Sequence, residues 1–171
     1  MHGHSAILRS YENNNRRKLQ SLLASYQGLS SLSEAITKAA HALDEKGNRH
    51  RHQARIKRAV ILAAHEALDR THAQLGTTHD FETLHTIIET STLRIKGIGP
   101  LYVYDAALRL GAYLRIEPTK VYLHAGTRKG ATRLGVPLPA EAISPEALPP
   151  EFSHLKAHEI EDLLCIYKDR L

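Results

Sequence analysis

The sequence predicts an all-α fold. Apolar residues recur at helical spacing in successive stretches, from 5–27 at one end to 157–169 at the other. Glycine, proline and Ser/Thr/Asn/Asp clusters punctuate those stretches. No credible alternating strand pattern, internal repeat or low-complexity tract interrupts them. At 171 residues the expectation is a single domain over 1–171. A chain of that size can bury a core without disulfide or metal staples.

Residues 5–27 read as a first helix with Leu19, Leu22, Leu23 and Tyr26 on its apolar stripe. Arg16, Arg17 and Lys18 form a solvated cluster before it, and Gly28 stops it. Ser31 or Ser33 caps a second helix with Glu34 in its first turn. Its buried face is Leu32, Ile36, Ala39, Ala40 and Leu43, and the turn 44–48 ends it. Segment 49–58 is the most basic: Arg49, Arg51, Arg55, Lys57 and Arg58, interleaved with His50 and His52. It reads as running into a helix that buries Ile56, Val60, Ile61, Ala64 and Leu68. Basic charge at a helix N-terminus opposes the dipole, which suggests a bound anion there.

Residues 76–80 are a linker, and Asp80 caps a helix that starts at Phe81 and buries Leu84, Ile87 and Ile88. Leu93-Arg94-Ile95-Lys96-Gly97-Ile98-Gly99-Pro100-Leu101-Tyr102 then reads as a tight hairpin. The helix after it, to about Leu114, shows Leu101, Tyr104, Leu108 and Leu114 at helical spacing. A helix-hairpin-helix is therefore expected at about 81–114. Gly97 and Gly99 permit a sharp turn and close backbone approach, and Pro100 suits a first helical position. Free amides at that helix start, beside Lys96, make an anion site. Farther on, Glu117-Pro118 opens a helix through Tyr122, His124 and Arg128 to about Gly135. Residues 137–150 form a proline-rich loop, and a last helix at 157–169 buries Ile160, Leu163, Leu164 and Tyr167.

Net charge is +5 with neutral histidines, a moderate excess that suits a polyanion partner. The twelve histidines would add positive charge as pH falls. The single Cys165 excludes an intramolecular disulfide, so a reducing, cytoplasmic setting is expected. The longest apolar run, 59–64, is far too short to span a membrane, and no membrane partner is expected. Scattered histidines and one cysteine argue against a metal site, and no cofactor is expected.

Ile95-Lys96-Gly97-Ile98-Gly99, the helix after it, Val121-Tyr122-Leu123-His124 and Arg133-Leu134-Gly135 occur in an order that is recognisable. Together they resemble the core of the helix-hairpin-helix DNA glycosylase superfamily, the endonuclease-III-like group. The resemblance covers about a quarter of the chain by motif. It implies binding of double-stranded DNA and, in an enzyme of that type, base excision. The family's catalytic aspartate aligns with Tyr122, whose phenol cannot supply a carboxylate's charge at neutral pH. The lysine of the bifunctional members is replaced by Pro100-Leu101, which disfavours a Schiff-base lyase.

A monofunctional glycosylase would then need another carboxylate. Asp105, in an otherwise apolar helix, is the first candidate, although Arg109 four residues on offers an ordinary ion pair. Glu117 is the second. Tyr104, Tyr122 and His124 are candidates for a base pocket. The expected DNA contacts are Arg94, Lys96, Gly97, Ile98 and Gly99, with Arg49, Arg51, Arg55, Arg128 and Lys129. The rival expectation is a non-catalytic DNA-binding module, or an accessory subunit of a nucleic-acid-processing complex.

Overall fold

In the computed structural model, which describes residues 3–138 and 141–171, helix dominates and the chain is all-α. Helix α1 (Gly3–Tyr11) passes through a π-helical turn, Glu12–Arg16, into α2 (Arg17–Gln27). The expected helix over 5–27 is thus helical throughout but interrupted in its hydrogen-bonding pattern. Asparagine side chains compete with the backbone in this run. Asn14 Nδ2 donates to the Ser10 carbonyl at 2.8 Å, in competition with the regular backbone pattern.

Contacts divide the chain into two units: Met1–Gln20 with Pro118–Leu171, and Ser21–Glu117. The expectation of one domain treated these as a single body.

The Ser21–Glu117 unit holds most of α2, then α3 (Leu32–Ala40), α4 (Arg58–Asp69), α5 (His72–Gly76), α6 (Phe81–Thr92) and α7 (Pro100–Leu114). Ser31, not Ser33, caps α3: its Oγ accepts from the Glu34 amide at 3.2 Å. Asp80 caps α6, accepting from the Thr83 amide at 2.8 Å. Helix α3 packs on α4 and α7, and α6 packs on the same two. Ile36, Ile61, Leu68, Leu75, Leu84, Ile88, Tyr104 and Leu110 fill the space between them and are wholly buried. The short α5 was not expected. The basic stretch is not the start of a helix either. It is a loop with a 3-10 turn, Arg51–Gln53, and α4 begins only at Arg58.

In the other unit, α8 (Ala125–Arg133) lies along α9 (Ala157–Tyr167). The contact is close because Gly130 faces the α9 backbone: a Cβ there would sit 2.5 Å from the Leu164 carbonyl oxygen. Two short strands, β1 (Val121–Tyr122) and β2 (Ala142–Ile143), pair antiparallel with Val121 opposite Ile143. No helix opens at Glu117-Pro118. Proline biases the residue before it toward extended backbone, and Val121 and Tyr122 join a ladder instead. Part of the expected 137–150 loop is therefore strand. The core is Ile7, Leu8, Tyr11, Val121, Phe152, Ile160, Leu163, Leu164 and their neighbours.

The π-helical turn faces α9. Tyr167 Oη donates to Asn15 Oδ1 at 3.1 Å. Arg16 donates twice to the Glu159 carboxylate, at 2.7 and 3.0 Å. Burial pushes the Glu159 carboxyl up. The Arg16 guanidinium and the Lys156 amide pull it further down, so it stays below the ordinary carboxylate range.

Gly130→Ala would force α8 and α9 apart. The expected cost is about 1–3 kcal/mol of stability, the range for overpacking, measured by urea unfolding. Gly135→Ala, where a Cβ meets nothing, would carry only the penalty of its left-handed backbone.

Candidate nucleic-acid interface

The hairpin is built from the backbone outward. After α6, Ile95 N donates to the Thr92 carbonyl and Ile98 N to that of Ile95, both at 2.9 Å. These bonds turn the chain through Gly97, whose φ is +106°. A Cβ on Gly97 would lie 3.3 Å from Val60 Cγ2 of α4. The left-handed backbone favours glycine there, and a Cβ would also crowd Val60. Ile98 is buried and anchors the turn from beneath.

Gly99 differs from Gly97. It is extended, at φ −125°, and a Cβ there meets nothing within 4 Å. It is the N-cap of α7, with Pro100 in the first turn as expected. The amides of Lys96, Gly97, Gly99 and Leu101 donate to no acceptor among the described residues. Lys96 and Gly97 are exposed. The corner therefore presents a row of unused donors at the positive end of a long helix.

The basic loop belongs to the same unit. Its entry is pinned by an antiparallel bridge between Leu43 and Arg49 and by the His50 amide on the Ala42 carbonyl at 2.8 Å. Arg49 Nη1 donates to the Ile56 carbonyl at 3.0 Å. That bond closes the loop on itself and leaves Arg49 half-buried. Arg51, Arg55, Lys57 and Arg58 are exposed, as are Arg94 and Lys96 beside the hairpin. None of these cations has an acidic partner among the described residues. Val60, which backs Gly97, stands in the first turn of α4, so the head of α4 adjoins the hairpin.

Beneath the loop lies a buried polar group. Gln53 Nε2 donates to Asp105 Oδ2 at 2.7 Å, and Arg109 Nη1 donates to Gln53 Oε1 at 3.1 Å. Arg109 Nη2 is 3.6 Å from Asp105 Oδ2. The expected Asp105–Arg109 pair is present, but Gln53 bridges both ends of it. Burial raises the Asp105 carboxyl; the Arg109 and His52 charges oppose this without cancelling it. Burial, then the Arg109 charge, pushes His50 down to about 4. His50 is thus neutral at physiological pH and adds no charge to the surface.

The other expected site residues lie elsewhere. Tyr104 is fully buried, its ring 6.1 Å from that of Phe81 in an edge contact. It is a core residue of the Ser21–Glu117 unit, closed to a flipped base. Tyr122 is half-buried in β1 of the other unit. His124, also in that unit, is mostly buried, with Nε2 3.6 Å from Glu161 Oε1. Arg128 is half-buried on α8, and Lys129 pairs with Asp169 at 2.6 Å, which neutralises it locally. Glu117 is exposed beyond the end of α7. Among the described residues no cluster of His, Cys, Asp and Glu is placed to hold a metal ion, and no helix is long and apolar enough to cross a membrane.

Comparison of the chain with protein-family models, curated proteins and solved structures finds no match in any of the three.

Asp105 makes its own prediction. A carboxyl raised in the fold binds a proton more tightly there than in the unfolded chain, so its contribution falls as pH rises through the folded value. The stability advantage of the unaltered chain over Asp105→Asn should shrink as pH rises above the ordinary carboxylate value of about 4. Urea unfolding across that range measures it. An advantage that grows with pH would mean that Arg109 outweighs burial.

Proposed function

We propose that this chain binds double-stranded DNA through its helix-hairpin-helix, gripping the sugar-phosphate backbone. The observation that carries the reading is the corner at 96–101, whose unused amides stand beside cations that no carboxylate compensates. Amides at a helix start favour an anion, and phosphate is the anion a duplex repeats along its length. The resemblance of residues 95–136 to helix-hairpin-helix glycosylases supports the same partner. A reducing compartment, the cytoplasm, suits the lone Cys165.

The geometry favours binding over catalysis. Asp105 is committed to Gln53 and Arg109, and Tyr122 stands where the family's acid would be. One observation keeps base excision as a second reading: the raised Asp105 carboxyl, with its side chain 20% exposed, sits on the hairpin's own helix.

Duplex affinity, read by fluorescence anisotropy across a salt series, should fall with a log–log slope of about −3 or steeper, at about 0.9 per neutralised phosphate. Lys96→Ala should lower that slope by about 1. Gly99→Val is the cleaner backbone probe, because Gly97 is held by conformation and by Val60 whereas Gly99 has open space. It should weaken binding while leaving the unfolding midpoint nearly unchanged. Salt-independent affinity, or full affinity in Gly99→Val, would contradict the reading. Free base released from damaged duplexes by the unaltered chain and not by Asp105→Asn would favour the second reading.

A further inference from the structure

We infer that Gln53 is a positioning residue: clasped by Asp105 and Arg109 of α7, it holds the basic loop as a second phosphate contact in fixed register with the hairpin. The inference rests on the DNA-binding reading above.

Gln53 is 2% exposed, while Arg51, His52, Ala54 and Arg55 around it are exposed. Within this short stretch only its side chain turns inward, which leaves its basic neighbours outside. Its amide is used at both ends, as donor to Asp105 and acceptor from Arg109. An apolar side chain could fill the same space but would fix no orientation. Swapping the amide's oxygen and nitrogen would set donor against donor and acceptor against acceptor, so only one arrangement satisfies all three groups.

The loop is tied at two further points: the Leu43–Arg49 bridge, made by the His50 amide on Ala42 and the Asp44 amide on Asn48, and Arg49 on the Ile56 carbonyl. Such a loop loses little conformational freedom on meeting a ligand, which is how preorganisation raises affinity. Helix α7 carries both elements. The hairpin corner is at its head, and Asp105 follows Gly99 by about 9 Å of axial rise at 1.5 Å per residue. Hairpin and loop are thus set at a fixed separation by one rigid helix. Burial of Arg109, 3% exposed, has a role beyond local pairing: it is one jaw of the clasp.

The test is a double-mutant cycle on the full chain with a short random-sequence duplex. Gln53→Met keeps the volume and removes both hydrogen bonds. It should lower the magnitude of the salt slope by about 2, the share of the two loop arginines, and weaken binding several-fold. Arg51→Ala with Arg55→Ala should do the same in the unaltered chain, yet add little on top of Gln53→Met. Lys96→Ala should cost the same in both backgrounds. If Gln53→Met does not fold, Asp105→Asn and Asp105→Ala replace it. Asparagine keeps an acceptor for Gln53 and should retain binding; alanine should lose the loop's share. Full additivity between Gln53→Met and the loop arginines, or equal binding by the two Asp105 variants, would overturn the inference while leaving hairpin binding intact. Absence of any salt-sensitive binding by the unaltered chain would overturn both.

Discussion

The backbone at Gly97 is the constraint on which the rest depends. A left-handed φ of +106° turns the chain there, and a Cβ would press on Val60 of α4 at 3.3 Å. The turn is locked by its own carbonyl bonds and by buried Ile98, and among the described residues the amides of Lys96, Gly97, Gly99 and Leu101 have no acceptor. Lys96 and Gly97 are exposed, and water satisfies an exposed amide at little cost. A phosphate oxygen could replace that water without any change in the protein. The head of α4, the corner and the head of α7 are thereby fixed within one packed unit.

Charge in this unit is sorted by depth. Arg109 is buried and answered by Asp105 and Gln53, which meets the cost of removing a guanidinium from water. The exposed cations around the loop and hairpin have no acidic partner among the described residues. Like charges on one surface repel and weaken the fold slightly, and a polyanion would relieve that repulsion. His50 shows the same sorting: buried near Arg109, it gives up its proton rather than add to the positive field. Lys129 on α8 is the contrasting case, with its charge answered by Asp169.

Much of this was legible in the sequence, and what was not has a physical cause. Helices α6, α7 and α9 follow from apolar spacing, and Asp80, Pro100 and the hairpin glycines mark their ends. The basic stretch was visible but its shape was not. Composition locates charge, whereas the loop depends on Gln53 reaching Asp105, a contact more than fifty residues away in the chain. A lone glutamine among arginines carries no signal of burial. The expected helix after Pro118 holds from Ala125 to Arg133, but its start was misread because Val121 and Tyr122 fit either period in so short a run; the pairing with Ala142 and Ile143 decides it. Tyr104 stood both on the apolar stripe of its helix and among the pocket candidates, and in the structure it is fully buried against Phe81. The π-helical turn lies in an asparagine-rich run, but its register is set by Glu159 and Tyr167 from the far end of the chain.

The most direct measurement is an amide-resolved NMR titration of the 15N-labelled chain with a short duplex at low salt. If the corner grips phosphate, the amide signals of Lys96, Gly97, Gly99 and Leu101 shift first and saturate together, and added salt reverses them. Duplex binding that leaves those amides unmoved, with its shifts confined to other surfaces, would contradict the central claim.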